Sequence, residues 1–353
     1  MKQINEITFM KAIAIICMVA GHSYTHSSLE VFVGMFHMPL FFICSGYCFK
    51  EKYLNDFKKY AIRKFKTIWL PTVKWILALV FLHNMLLNIG WIKEGLENGI
   101  MVHSYNLHDY VKYVIMGVTI LHSHAPTFAG IWFIKMLLFS LIAGYFIIKY
   151  CNGKMLLIIM MTLLFISMIL LKFFPGHYPV VNQLHLPFLS TFFLLFGFFI
   201  KKMNLLTILT RKRMLLVVCS LLLLLCGFAY WPSSMVSLDY IYCIPFCISA
   251  ISGTLSIYYL STLIKFTPPS MQNYLLFLGN NTYCVLMMHI LSFRFISTIL
   301  VFTLGLSHDL ISEHPTIHYL SNEGYWILYL FLGINFPLLT QYVYNKIIKK
   351  WKK

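Results

Sequence analysis

Residues Glu6–Tyr47 read EITFMKAIAIICMVAGHSYTHSSLEVFVGMFHMPLFFICSGY, two apolar runs of which the first contains Lys11 and His22. About 20 apolar residues of helix cross a bilayer, and a cation inside such a span is expensive unless it faces water or a partner. Eleven residues of helix, from Lys11 to His22, turn through about 1100°, leaving the side chains about 20° apart in azimuth and about 16 Å apart along the axis. The pair therefore looks along one wall at two depths, which makes it a candidate site. A snorkelling lysine with an interfacial histidine would account for the same pattern.

Outward from this stretch the chain repeats the apolar theme. Of 353 residues, 59% are hydrophobic and 11% charged, more apolar surface than a soluble fold of that size hides. The chain reads as an all-α polytopic membrane protein, one domain over 1–353. Windows of about 20 apolar residues predict about ten transmembrane helices, near 6–26, 31–49, 68–90, 129–149, 154–174, 186–202, 213–231, 241–264, 275–303 and 325–347. Leu107–Leu121 is amphipathic, with Asp109 and Lys112, and fits a surface helix or a re-entrant segment.

Lys50–Lys66 carries seven Lys or Arg and sets the cytoplasmic side. Threading the spans from there places 21 of the 28 Lys and Arg on that side, together with both termini, while most acidic residues face the other way. The formal charge of +17 is thus a topology signal and implies no nucleic-acid partner. Asn55–Leu70 interleaves basic and aromatic residues, which suits an amphipathic helix on membrane lipids or an anion site for a phosphate-bearing cofactor. The first span lacks the basic start and cleavage site of a signal peptide. The nine cysteines lie in or at the ends of spans, which argues against a disulfide framework, and Cys44/Cys48 and Cys243/Cys247 read as packing residues and not as metal ligands. No Walker, Rossmann or zinc pattern and no clear internal repeat is present.

The fourteen histidines avoid the cytoplasmic loops. His103, His108, His122, His124, His177, His185, His308, His314 and His318 fall in outer loops or at their edges and are expected to be solvated. His22, His26, His37, His83 and His289 lie within or at the ends of spans. His22 precedes Ser23, but neighbours on a helix point about 100° apart, so a Ser–His nucleophilic pair is not expected there. In the second span, Pro39 is expected to kink the helix, and Gly46 to admit a close neighbour or ligand.

Taken together, Lys11-x10-His22, Phe36-His37-Met38-Pro39-Leu40-Phe41-Phe42 with Ser45-Gly46-Tyr47, Arg63-x2-Lys66 leading to Pro71, Trp132-Phe133, and Leu278-Gly279-Asn280-Asn281-Thr282-Tyr283 with His289 follow in order over nearly the whole chain. In this the chain resembles the acyltransferase 3 family of integral membrane acyltransferases, close to its fucose 4-O-acetylase-like members. Two departures stand out: Lys11 where the family often has Arg, and Thr8 where an acidic residue often precedes it. A lysine offers a point charge and no bidentate fork.

The resemblance implies a multi-pass protein of the bacterial inner membrane. It implies transfer of an acyl group, commonly acetyl, from cytoplasmic acyl-CoA to a hydroxyl of a sugar, glycan or lipid-linked saccharide. His22 would be the general base. Lys11, Arg63, Lys64 and Lys66 would hold the CoA phosphates, with acetyl-CoA as co-substrate and no metal. His37, Ser45, Trp132, Asn281, His289 and Arg294 would bind substrate or support the site. Identical polar residues could instead line the path of a saccharide exporter or flippase. A homo-oligomer, the acceptor and the acyl length stay open.

Overall fold

The computed structural model describes residues 2–24, 28–97, 100–122, 130–174, 183–205 and 213–351. His26, His124, His177, Arg211 and Lys212 lie outside these residues. Among the described residues the regular structure is helical apart from one antiparallel hairpin, β1 (Gly95–Glu97) with β2 (Ile100–Val102). Its helices are α1 (Lys2–Ser23), α2 (Ser28–Gly34), α3 (His37–Tyr47), α4 (Phe57–Lys64), α5 (Leu70–Asn88), α6 (Leu107–Ile120), α7 (Ile131–Tyr150), α8 (Gly153–Phe173), α9 (Leu186–Lys202), α10 (Arg213–Tyr230), α11 (Cys243–Leu263), α12 (Pro269–Asn280), α13 (Thr282–Leu304) and α14 (Trp326–Trp351). Eight helical segments among the described residues are long and apolar enough to cross a membrane. The other two expected spans are present as helices but are shorter: α9 has 17 residues, and the apolar helix of α10 runs Val217–Tyr230.

Three boundaries depart from expectation, each for a local reason. The second span breaks at Met35–Phe36, ahead of Pro39, which sits in the first turn of α3, where a missing N–H is harmless. The basic helix α4 is followed without a break by a wide π turn, Phe65–Trp69, and then α5, so the helical run Phe57–Asn88 starts well before the expected span 68–90. The expected span 275–303 is interrupted at Asn281, between α12 and α13.

The described residues form two compact units: Met1–Met18 with Val31–Lys64 and Met136–Asn280, and Val19–Glu30 with Phe65–Lys135 and Asn281–Lys353. In the first, α3 packs on α9, α8 on α9, and α10 on α11. Lipid tails are as apolar as leucine, so helices in a bilayer associate through close van der Waals fit and polar links. Gly46 and Gly197 supply the fit: a Cβ on either would fall on the carbonyl of Leu194 or Ile43 in the facing helix. Gly279 likewise lies against the backbone of Thr8, so the small residue there gives α12 its seat on α1. Ser140 Oγ donates to Ser190 Oγ at 2.7 Å, and Tyr145 donates to the carbonyl of Leu54 at 2.9 Å.

In the second unit α13 packs on α14, and α5 on α6. Trp91 Nε1 donates to Thr298 Oγ1 at 3.0 Å, and Thr72 and Tyr283 share a hydroxyl bond of 3.0 Å, tying α5 and its following loop to α13. The segment with two readings is a helix: Asn106 and Asp109 cap each other reciprocally at its start, Gly117 faces Ile76 of α5, Tyr113 is buried against Tyr105, and Leu107, Val111 and Ile115 point outward. Asp109 is held below the ordinary carboxylate range first by the Asn106 N–H and further by His103, whose Nε2 lies 3.2 Å from Oδ2. A depressed carboxylate stabilises the fold above its unfolded-state pKa and loses that contribution as pH falls through the lower folded value. Asp109→Asn should therefore lower the melting temperature of detergent-solubilised protein at pH 7, and the gap to wild type should close on acidification below about pH 4. A pH-independent gap would contradict this.

Candidate functional site

His22 sits in the last turn of α1, half-buried, and its ring stacks on that of His289 from α13, centroids 5.4 Å apart at 28°. No described residue hydrogen-bonds the His22 ring. Glu30, near the start of α2, is the carboxylate that acts on His22, and its charge complements the cation His22 becomes on taking a proton. His289 is 1% exposed. Its Nδ1 faces the carbonyls of Val285 at 3.1 Å and Leu286 at 2.9 Å, so Nδ1 carries the proton. Nε2 is then a bare lone pair, buried without a hydrogen-bond partner among the described residues.

Arg294, one and a half turns beyond His289, is also 1% exposed. Its guanidinium donates to the carbonyl of Ile311 at 3.0 Å and to that of Glu313, and approaches His314 Nδ1 at 3.5 Å. A planar fork suits this task, since it satisfies several acceptors of an irregular loop at once. The loop then brings His318 within 3.5 Å of the Glu313 carboxylate. Tyr329 of α14 completes the wall, its hydroxyl bonded to Ser297 at 2.8 Å and its ring edge-on to Phe293.

This overturns one expectation. His314 is half-buried against Arg294, and burial first, then the charges of Arg294, His22 and His318, push its pKa down to about 3. His185 is likewise buried, with Nε2 3.0 Å from the Met235 carbonyl. His122, expected in solvent, is held below the ordinary histidine range by burial, Lys135 and Lys112.

The same unit holds Trp132, edge-on to Phe133 with centroids 6.3 Å apart, Asn281, whose carbonyl starts α13 by accepting the Cys284 N–H, and Lys66, exposed in the π turn. The first unit holds the other expected site residues. His37 Nδ1 lies 2.6 Å from the Val33 carbonyl across the helix break, and Ser45 Oγ donates to the Phe41 carbonyl at 2.8 Å. Lys11, Lys201, Lys50 and Lys64 act together on Cys48, just past α3; burial outweighs them and leaves the thiol raised. Lys201 Nζ also donates to the Phe49 carbonyl at 2.5 Å. Arg63 turns to Tyr53, bonding its hydroxyl and lying 5.4 Å from its ring centre. Four lysine charges thus act around Cys48.

Lys50 and Lys201 were not singled out in the sequence as binding residues, nor were Glu30 and His314 as members of a site. A basic run signals topology first, and a loop histidine carries no periodicity that would reveal a buried partner. The nine cysteines are free thiols. Among the described residues no group of three or more His, Cys, Asp or Glu is placed to hold a metal.

A family model described as an acyltransferase domain, that of the acyltransferase 3 family, matches residues 4–340. Comparison with curated proteins and with solved structures gave no match.

Proposed function

The chain belongs to the acyltransferase 3 family, a membrane O-acyltransferase with multiple apolar helices, and from that premise we propose that it moves an acyl group, acetyl in the first instance, from cytoplasmic acyl-CoA to a hydroxyl of a sugar, glycan or lipid-linked saccharide. In a bacterium its place is the inner membrane, with both termini cytoplasmic, as the distribution of basic residues supports.

The observation that carries this reading is a half-buried His22 whose ring no described residue hydrogen-bonds, stacked on His289 and under the charge of Glu30. Imidazole can take a proton near neutral pH. His22 removes the proton of the acceptor hydroxyl as its oxygen attacks the thioester carbonyl. The tetrahedral intermediate collapses with cleavage of the C–S bond, and the thiolate takes the proton back from His22. The new ester and free CoA thiol balance the reaction. Lys11, Lys64, Lys50 and Lys201 supply charge for the CoA phosphates, where charge-assisted bonds are strong. Arg63 and Lys66 add further charge for the same phosphates, and His37, Ser45, Trp132 and Asn281 support the substrates.

The test uses membranes containing the protein, radiolabelled acetyl-CoA and extracted glycan and lipid. Label on an extracted fraction that depends on the protein is the expected result. Replacing Lys11 and Lys64 together by Gln should raise the KM for acetyl-CoA about tenfold or more, since each charge-assisted bond is worth about 1.5–3 kcal/mol, with less change in kcat. An unchanged KM would remove these lysines from the donor site.

A further inference from the structure

We propose that His314, on the loop after α13, is a catalytic residue of this transferase: its Nε2–H donates to the carbonyl oxygen of the reacting thioester while His22 takes the proton of the acceptor. The inference rests on the acyl-transfer reading above and deepens it.

A guanidinium only donates. Arg294 beside His314 Nδ1 therefore makes that nitrogen an acceptor, which places the ring proton on Nε2. The same guanidinium holds the carbonyls of Ile311 and Glu313, so backbone and ring are fixed by one buried group. No described residue bonds His314 Nε2, and the residue is only half-buried, which leaves this N–H available for a ligand. His22 is half-buried too, with no described residue bonding its ring, and it stacks on His289, one and a half turns before the Arg294 that holds His314, so one stretch of α13 carries both imidazoles. One ring offers a lone pair and the other a preset N–H, which are the two functions that addition of a hydroxyl to a thioester requires.

The charge state agrees. With its pKa pushed down to about 3 by burial and Arg294, His314 stays neutral over the working range of His22. A neutral imidazole donates to a developing oxyanion without competing for the substrate proton, the arrangement known for an imidazole electrophile in triosephosphate isomerase. As the oxyanion forms, its C–O double bond becomes single and negative charge gathers on oxygen. It returns to a carbonyl when the C–S bond breaks, and His314 keeps its proton throughout.

The experiment measures kcat and KM for radiolabelled acetyl-CoA with extracted glycan, using membranes carrying wild type, His314→Ala, His314→Gln and His22→Ala, with thermal stability of each purified variant. His314→Ala should lower kcat about 100- to 1,000-fold, as loss of one oxyanion donor does, with KM changed less than about threefold. His314→Gln, which keeps a neutral N–H, should recover at least about tenfold of that loss. Wild-type kcat in His314→Ala beside an inactive His22→Ala would overturn this inference and leave the acyl-transfer reading standing. Equal losses in the Ala and Gln variants that follow their melting temperatures would also overturn it, since a packing role predicts that result. Full turnover in His22→Ala would overturn the base assignment and this inference with it.

Discussion

His22→Ala should lose acyl transfer by about two to four orders of magnitude, the range that a general base supplies, while the protein inserts and accumulates as wild type does. Removing the imidazole deletes one stacked ring from His289, an interaction worth about 0.5–1.5 kcal/mol beyond area, too little to unfold a membrane protein of this size. The acceptor hydroxyl, by contrast, loses the only group on α1's last turn able to take its proton. His22→Gln separates the two effects: it fills the space and keeps a polar end, yet accepts no proton near pH 7, so it should be as inactive as Ala. The measurement is label transferred from acetyl-CoA to extracted glycan, normalised to protein in the membrane. Transfer retained in the Gln variant would show that His22 positions substrate and performs no base chemistry.

The contrast between His22 and His314 shows what was legible beforehand. His22 stands in an apolar span with Lys11 expected on the same wall, and a polar residue at hydrocarbon depth is conspicuous in any sequence. The helices themselves follow from long apolar runs, and their ends fall within a few residues of the expected spans at Ile131–Tyr150 and Gly153–Phe173. His314 lies in a polar loop, where histidine is ordinary. Its significance comes from Arg294, twenty positions away, and the fold creates that proximity. The break at Asn281 was hidden for a related reason: apolar residues continue on both sides, so hydropathy sees one span. Patterns with a period are readable; pairings between distant polar residues are not.

A second large effect is expected at Gly46 and Gly197, where the argument is steric. A Cβ at Gly46 would stand 1.7 Å from the Leu194 carbonyl oxygen, and one at Gly197 would stand 2.0 Å from that of Ile43. Ordinary contact begins near 3.4 Å, and both obstacles are helix backbone that no rotamer change can move. α3 and α9 would have to part by more than about 1 Å, a gap that already forfeits a quarter to a half of each dispersion contact along their seam. Gly46→Val or Gly197→Val should destabilise the protein by about 3 kcal/mol or more, at the upper end of overpacking effects, and activity should fall with the folded population. Gly34→Ala is the control, because its Cβ would meet Ser234 at an ordinary 3.6 Å, and it should stay within about 1 kcal/mol of wild type. The double variant Gly46→Val/Gly197→Val discriminates further. Once one valine has parted the helices, the other enters space already opened, so the combined loss should be well short of the sum of the singles. Thermal unfolding in detergent measures all four. Full additivity, or wild-type melting of Gly46→Val, would mean that α3 and α9 do not meet backbone to backbone.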